Sequence, residues 1–358
     1  MRRQSIHRAL ALVFGGALLV AACGGAATAP PSEEPPASGA PSTEPSVGPT
    51  EIPGTKEFTI GFTSPGLSAA PYLAAIDALR AQGYRIDTPI IESSELLSQA
   101  VASGQFAFGS GANNAVLAAN QAGADLKVII SRVNNEWTLY ARTATIKTCA
   151  DLGGKSLAIH SEGAVSTAMV RNYIKENCSG TEPAYVVIPG SPNRLAALLA
   201  DQIDASPLEL SDSLTIDTQA SDRFSLLASL AVDLPNLQTT SIYVNGDFAA
   251  ENPGSVLALV KAVLTEYRRI AGDAAALKAD AETYTSDSID PKTIDLAAAK
   301  YTELKMFDVN GGVTAENLDY TARFFGPDGT GTVKKVYALN EWTDLSFLEA
   351  ALSELGTQ

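Results

Sequence analysis

The chain has 358 residues, with 25 Lys and Arg against 40 Asp and Glu, and 46% of its residues are hydrophobic. The net charge of −15 argues against a nucleic-acid partner, because a phosphate backbone requires a clustered basic surface. The hydrophobic content excludes a wholly disordered chain, and the length predicts two domains or one large two-lobed unit.

The first residues have the pattern of an export signal. An arginine-rich start precedes the apolar run Ala9–Ala22, which is too short for a stable membrane span. The run leads through small residues into Cys23, and this junction resembles the lipobox of bacterial lipoproteins. We therefore expect residues 1–22 to be a lipoprotein signal peptide and Cys23 to carry a lipid anchor. The alternative is an ordinary signal peptide followed by an incidental cysteine.

The segment after Cys23 is rich in Pro, Ser, Gly, Ala and Glu, with almost no large apolar side chains up to about residue 55. Such a composition buries too little surface to offset the entropy of ordering the chain. We expect residues 23–56 to be a disordered tether. The folded part is then extracytoplasmic and held by its lipid to the bacterial cell membrane.

From Phe58 onward, short apolar runs alternate with amphipathic helical stretches. This alternation predicts an α/β fold with parallel strands flanked by helices. The expected strands are 58–62, 86–91, 106–109, 126–131, 156–160 and 185–188. The expected helices are 70–82, 94–103, 112–122, 163–177 and 191–201. After residue 244 the pattern becomes helical, with helices expected around 253–270, 272–284, 290–302, 314–325 and 346–355.

Few residues have the chemistry of a metal site. Apart from Cys23, the cysteines are Cys149 and Cys178, and His160 is the one histidine beyond the signal. Two leftover cysteines in an oxidising compartment usually form a disulfide; the alternative is a pair of buried thiols. Two Cys and one His without close spacing are too few for zinc, so we expect no metal and no cofactor.

Several segments form a recognisable series along the chain. They are SELLSQAVASGQFAFGSGANN (94–114), AGADLKV (122–128), DLGGKSLAIH (151–160), GSPNRLAALLADQIDA (190–205) and the stretch 243–260. In this order they resemble the extracytoplasmic substrate-binding proteins of ABC importers in the sulfonate, nitrate and thiamine-precursor group.

The resemblance implies a type II periplasmic-binding-protein fold, with two α/β lobes and a two-segment hinge. Lobe I would comprise residues 57–142 and 242–358, and lobe II residues 143–241. The hinge would lie near Arg142–Ile146 and Thr240–Asn245. The chain would be a monomer that delivers a small molecule to a membrane permease, and indirectly to its ATPase, without being an enzyme.

The family's ligand loops correspond to small or polar residues after the expected strands. These residues are Thr63, Ser64, Asn113, Asn114, Glu136, Trp137, Ser161, Glu162, Gly163, Ala164 and Glu209. Structural alternatives exist for some of them. Asn113 and Asn114 fit a helix N-cap, Ser161 fits the N-cap of the helix after it, and Trp137 fits the core.

The charges of these loops bear on the ligand. Binders of sulfonate or nitrate need hydrogen-bond donors and often a cation, whereas these loops carry Glu136, Glu162 and Glu209 and no Lys or Arg. We therefore expect a neutral or cationic nitrogen heterocycle of thiamine-precursor type, stacked on Trp137. The alternative is an anion such as an alkanesulfonate, taurine or nitrate. More remote are a signalling or adhesion lipoprotein and a pyrimidine-synthase-like enzyme of this fold that uses His160.

Overall fold

The computed structural model describes residues 52–63, 66–178 and 180–358. The expected signal peptide, Cys23 and most of the expected tether lie outside these residues, as does Ser64. No helix in the described part of the chain combines the length and apolar character that crossing a bilayer requires.

Strands and helices alternate along most of the described chain. The strands are β1 (Glu57–Phe62), β2 (Arg85–Asp87), β3 (Phe108–Ala112), β4 (Leu126–Val133), β5 (Thr138–Arg142), β6 (Ser156–Ile159), β7 (Ala184–Val187), β8 (Ala205–Leu208), β9 (Phe224–Ala228) and β10 (Thr240–Asn245). The helices are α1 (Ala70–Ala81), α2 (Ser94–Ala102), α3 (Asn113–Gln121), α4 (Val165–Asn177), α5 (Ser191–Leu199), α6 (Leu210–Gln219), α7 (Leu230–Asp233), α8 (Gly246–Glu251), α9 (Pro253–Ile270), α10 (Ala274–Tyr284), α11 (Ile294–Glu303), α12 (Ala315–Phe325), α13 (Leu339–Trp342) and α14 (Ser346–Leu355).

The strands form two five-stranded sheets in the described residues. The first has the order β2-β1-β3-β10-β4, and β10 runs antiparallel to both of its neighbours. The second has the order β7-β6-β8-β5-β9, and β5 runs antiparallel to β8 and β9. The first sheet thus receives β10 after the chain has passed through the second sheet, whereas the five strands of the second sheet are consecutive in the chain. We call the first sheet with its helices lobe I and the second sheet with its helices lobe II.

The chain crosses between the sheets at two places. It leaves the first sheet after Val133 and enters the second at Thr138; it leaves the second after Ala228 and re-enters the first at Thr240. The crossings therefore differ from the expected hinge. β5 belongs to lobe II although residues up to 142 were expected in lobe I, because Tyr140 pairs with Ser206 and Leu226. The second expected hinge segment, Thr240–Asn245, is the buried strand β10.

Helix α9 packs on α1 and covers lobe I. Apolar residues recur along α9 at helical spacing, and Val256, Leu259, Val260, Val263 and Leu264 are fully buried. Burying each such side chain contributes roughly 1.5–3 kcal/mol relative to leaving it exposed. This packing makes lobe I a rigid support for the loops at the ends of its strands.

A disulfide lies wholly within lobe II. Cys149 and Cys178 are bonded, with 5.4 Å between their Cα atoms, and they join the segment before β6 to the end of α4. Closing a loop of this size stabilises a fold by about 3–4 kcal/mol in the chain-entropy model. Neither chain crossing lies between the two cysteines, so the bond leaves the crossings unconstrained.

The segment between α12 and α14 lies against lobe I and reaches the rim of the cleft. Thr343 forms a bridge with Val128 of β4, which holds the end of this segment on lobe I. Near its start, Thr330 and Thr332 line a surface cavity together with Asn114 and with Arg171 of α4. The first part of the segment therefore borders both lobes.

Candidate functional site

A small cavity lies between the lobes, at the ends of strands from both sheets. It has a volume of about 30 Å³ and is lined by Thr63, Ser94, Ala112, Arg132, Trp137, His160, Ala164, Val165, Ser166, Glu209 and Thr240. A water molecule needs about 10–15 Å³ by this measure, so the space holds about two. The lobes are therefore closed upon one another.

Direct hydrogen bonds hold the lobes together around this cavity. On one side, Nδ2 of Asn114 in lobe I donates to the carbonyl oxygen of Gly163 in lobe II at 2.6 Å. On another, the hydroxyls of Thr215 and Thr293 lie 3.0 Å apart, and Nε2 of Gln219 donates to Asp290 at 2.6 Å. A ligand larger than water can enter only when such bonds break and the lobes separate.

Part of the expected site lines the cavity itself. Thr63, Trp137, Ala164 and Glu209 do so, and Trp137 is only 7% exposed, so it is both buried and in the cleft. Ser64 lies outside the described residues.

Other expected site residues lie elsewhere. Asn113 points into lobe I, where its Nδ2 donates to the carbonyl of Gln238 at 2.7 Å. Glu162, which the sequence analysis placed at the start of α4 as a ligand-binding carboxylate, instead forms an ion pair with Arg171 at 2.7 Å on the surface. Its placement in the ligand site was wrong, because the loop turns this side chain outward while the backbone of Gly163 faces the cleft.

The helix-cap alternatives for these residues are also wrong. The N-cap of α3 is Ala112, so Asn113 and Asn114 are the first residues inside the helix. The N-cap of α4 is Ala164, which supplies no side-chain hydrogen bond, and Ser161 precedes it. The amide N–H groups at the start of α4 are therefore free of a local side-chain cap.

A carboxylate from lobe I reaches the loop just before the start of α4. Glu95, in the first turn of α2, accepts hydrogen bonds from the N–H of Gly163 and from the hydroxyl of Ser161, the latter at 3.0 Å to Oε2. Burial alone would raise the pKa of Glu95, but hydrogen bonds from backbone N–H groups and from Ser93 and Ser161 lower it below its ordinary value. Sequence reasoning missed Glu95, because it lies inside a helix and no loop pattern marks it.

Two buried arginines also escaped the sequence analysis. Arg132 is 3% exposed near the end of β4 and lines the cavity, and Arg194 is fully buried in α5. Both lie in regular elements. The expected ligand loops indeed carry no Lys or Arg, but Arg132 lines the cavity from a strand and Arg194 lies against Trp137 from a helix.

The guanidinium groups are only partly satisfied. Nη2 of Arg132 donates to Ser68 at 3.3 Å, and Nε of Arg194 donates to the carbonyl of Pro207 at 3.1 Å. Within the described residues, Nε and Nη1 of Arg132 and Nη2 of Arg194 have no hydrogen-bond partner. Charged donors left unpaired in the interior are costly, so this pair indicates a site built to bind something polar.

Three buried acidic side chains, Glu136, Glu209 and Asp212, lie near these arginines and form a charged cluster with them. Burial raises the pKa of Glu136 to about 8, and repulsion from Glu209 adds to the effect. Burial likewise raises the pKa of Glu209, while Arg132 and Arg194 oppose the shift. The pKa of Asp212 rises to about 7, for the same reason and through repulsion from Glu209. The cluster therefore holds at least one proton near neutral pH.

Glu136 connects the cleft to lobe I. It lies on the first chain crossing and accepts a hydrogen bond from the hydroxyl of Tyr301, in α11. Nearby, the amide N–H of Asn134 donates to the carbonyl of Met306 at 2.9 Å. The crossing is therefore fixed to the helical layer at the same point where it contributes to the cleft.

His160 has both ring nitrogens engaged. Nδ1 accepts a hydrogen bond from the N–H of Gly190 at 3.0 Å, so the proton is on Nε2, which donates to the carbonyl of Glu92 in lobe I. Burial lowers the pKa of His160 to about 4, and Arg194 contributes to this shift. At neutral pH the ring is an uncharged structural link between the lobes. Within the described residues, no three His, Cys, Asp or Glu side chains are arranged to hold a metal.

Two α/β lobes joined by two chain crossings, with a polar cleft between them, define a type II periplasmic-binding-protein fold. The chain belongs to the NMT1/THI5-like family, whose model matches residues 83–274. A comparison with curated proteins finds no match.

Solved structures share this fold at low sequence identity. The chain is similar to the alkanesulfonate-binding protein SsuA of Xanthomonas axonopodis pv. citri bound to MOPS, at 18% identity and a TM-score of 0.62, over 80% of this chain and 97% of that one. It is similar to the periplasmic nitrate-binding protein NrtA of Synechocystis PCC 6803, at 12% identity and a TM-score of 0.66, over 86% and 90%. A ligand-binding component of an ABC-type import system from Staphylococcus aureus, with zinc bound, matches at 12% identity and a TM-score of 0.66, over 83% and 99%.

Proposed function

We propose that this chain is the extracytoplasmic solute-binding component of an ABC importer. It closes two lobes on a small polar ligand and presents the closed form to a membrane permease, while a lipid on Cys23 holds it at the membrane. One observation carries this proposal. Buried polar atoms of both lobes, including Nε of Arg132 in lobe I and Oγ of Ser166 in lobe II, have no hydrogen-bond partner among the described residues. The family and the three neighbours named above support it.

The ligand favours the closed form because it binds that form more tightly than the open form. The hydrogen bonds between the lobes keep the protein closed over about 30 Å³, so a ligand must first enter an open form. A ligand that then bonds to groups on both lobes shifts the population toward a closed form that contains it. The permease needs only to distinguish this form from the open one.

For the ligand itself we propose an amino-substituted nitrogen heterocycle. A protonated carboxyl group has one donor and one acceptor side by side, and the raised pKa of Glu209, which lines the cavity, favours that form. A ligand with an amino group next to a ring nitrogen is complementary: its ring nitrogen accepts from the carboxyl O–H, and its amino group donates to the other carboxyl oxygen. The indole of Trp137 supplies a flat apolar surface for such a ring.

A second candidate rests on Arg132. Its unpartnered Nε and Nη1 in the cleft are suited to an anion such as an alkanesulfonate, taurine or nitrate. Glu209 opposes this ligand, since its carboxyl lines the same cavity and, whenever it is ionised, attracts Arg132 and repels an anion. We therefore rank the anion below the heterocycle.

Isothermal titration calorimetry distinguishes the heterocycle from the anion as the ligand. We expect micromolar binding of a 4-aminopyrimidine and none of methanesulfonate at equal ionic strength. Binding of methanesulfonate alone would overturn the heterocycle and leave the solute-binding role intact. Binding of neither, nor of any other small polar solute, would overturn the role.

The enzyme alternative has a separate test. His160 is uncharged, and both of its nitrogens are already bonded to backbone groups, so it is poorly placed for proton transfer. Mass spectrometry of the bound ligand, after long incubation and release by denaturation, is expected to recover it unchanged. Recovery of a product would contradict the transport role.

A further inference from the structure

Glu95 bonds to one peptide of lobe II from across the cleft. Its Oε1 accepts the N–H of Gly163, while Asn114, also in lobe I, donates to the carbonyl of the same residue at 2.6 Å. Both polar groups of Gly163 are therefore held by lobe I. Within lobe I, the hydroxyl of Ser93 donates to Oε2 of Glu95 at 2.8 Å and orients the carboxylate.

The contact depends on a close approach of backbone and side chain. A Cβ atom added at Gly163 would lie 2.6 Å from the carboxyl carbon of Glu95, which is impossible without movement. A glycine at position 163 therefore lets the carboxylate reach the amide. This fit shows that the two surfaces are complementary at this point.

The start of α4 attracts negative charge. α4 has 13 residues, its N-cap supplies no side-chain bond, and the first N–H groups of a helix carry its positive dipole end. Ser166, in the first turn, is 1% exposed and lines the cavity, and its hydroxyl has no partner among the described residues. An anion would be stabilised here, and the carboxylate of Glu95 lies beside this end of the helix, bonded to Gly163 two residues before its first residue.

We propose that Glu95 is an internal closing group, whose carboxylate lies just before the start of α4, where an anionic ligand group would otherwise be stabilised. It holds the lobes together when no ligand is bound, and it directs the cleft away from anions at this position. The second statement rests on the proposed solute-binding function; the first does not.

The tryptophans provide the measurement. The chain has two, Trp137 in the cleft and Trp342 buried in lobe I. Opening of the lobes exposes Trp137, so acrylamide quenching of the ligand-free protein reports closure. The same measurement on Trp137→Phe identifies the contribution of Trp342.

We expect Glu95→Ala to increase quenching of Trp137, and Glu95→Ala with Asn114→Ala to increase it further. Removing a charge-assisted hydrogen bond lowers the ratio of closed to open molecules by about tenfold or more. Glu162→Ala is the matched control, because its carboxylate is in the same loop but pairs with Arg171 within lobe II. Glu95→Gln keeps the shape and one acceptor oxygen, and should give an intermediate value.

Quenching of the double variant equal to that of the wild type would overturn the closing role, as would an equal increase in Glu162→Ala. Neither result depends on the identity of the ligand or on transport. For specificity, inorganic sulfate should bind to Glu95→Ala in calorimetry and not to the wild type. Absence of sulfate binding by an opened Glu95→Ala would overturn the exclusion of anions and leave the closing role standing.

Discussion

The guanidinium carbon of Arg194 lies 5.8 Å from the centre of the Trp137 ring. Arg194 belongs to α5 in lobe II, whereas Trp137 ends the first chain crossing, so the stack ties the crossing to lobe II. The indole lines the cavity and is supported by the cation.

Replacing Trp137 is expected to weaken ligand binding. Trp137→Ala removes the stacking surface, which is worth about 1–3 kcal/mol and lowers affinity roughly tenfold or more. Trp137→Phe keeps an aromatic face and should retain most of the affinity. Calorimetry with the aminopyrimidine measures both. Equal affinities for Trp137→Ala and the wild type would remove Trp137 from the ligand site.

Replacing Glu209 tests the carboxyl group in the cleft. Glu209→Leu keeps about the same volume and removes both the donor and the acceptor of the protonated carboxyl group. We expect about a tenfold or larger loss of affinity for the heterocycle, since each of the two lost hydrogen bonds contributes about 0.5–1.5 kcal/mol. Glu209→Gln keeps one donor and one acceptor and should retain most of the affinity. Glu162→Leu, on the surface of lobe II, is the control. Tighter binding of methanesulfonate by Glu209→Leu, without loss of the heterocycle, would favour the anion instead.

Asp212 is expected to make the free energy of unfolding of the protein depend on pH. Burial raises its pKa from an ordinary 3.8 to about 7, so the folded protein binds a proton that the unfolded chain releases in this range. Its contribution to the free energy of unfolding is fully present below pH 3.8 and is lost as the pH rises toward 7. The slope for one group is at most about 1.4 kcal/mol per pH unit.

Urea unfolding between pH 5 and pH 7.5 measures this effect. As the pH rises, the unfolding free energy of the wild type should fall relative to that of Asp212→Asn, because the amide of the variant cannot ionise. A difference that stays constant over this range would show that Asp212 has an ordinary pKa in the folded protein.

Removing the disulfide should destabilise lobe II without opening the cleft. Cys149→Ser with Cys178→Ser is expected to lower the free energy of unfolding by about 2–4 kcal/mol in urea. Acrylamide quenching of Trp137 should not change, because both cysteines lie within lobe II. Increased quenching at unchanged secondary structure would mean that the bond also controls closure.

Much of the fold followed from local sequence signals. α9 lies at 253–270 as expected, because its apolar residues have a clear helical period and Pro253 marks its first turn. The strand β8 was missed, since Ala-Ser-Pro-Leu has neither alternation nor β-branched residues and contains a proline. Pro207 is tolerated on the side of β6 because β8 pairs with that strand only at Ala205.

The chemistry of the site was less accessible from sequence. Trp137 and Glu209 were found because they lie in segments that correspond to the ligand loops of the family that the sequence resembles. Arg132 and Glu95 act through partners far along the chain, Ser68 and Gly163, and no local pattern records such a partnership. A search that included charged residues on the apolar faces of strands would have found Arg132.

The position of β10 has a consequence for how the molecule is made. β10 lies between β3 and β4, yet it is synthesised after all of lobe II. Until then the first sheet is two separate fragments with unpaired edges, while the strands of lobe II are already complete. Completing the first sheet therefore requires a late strand to insert into an early sheet, a non-local step of the kind that slows folding and leaves edges open to aggregation.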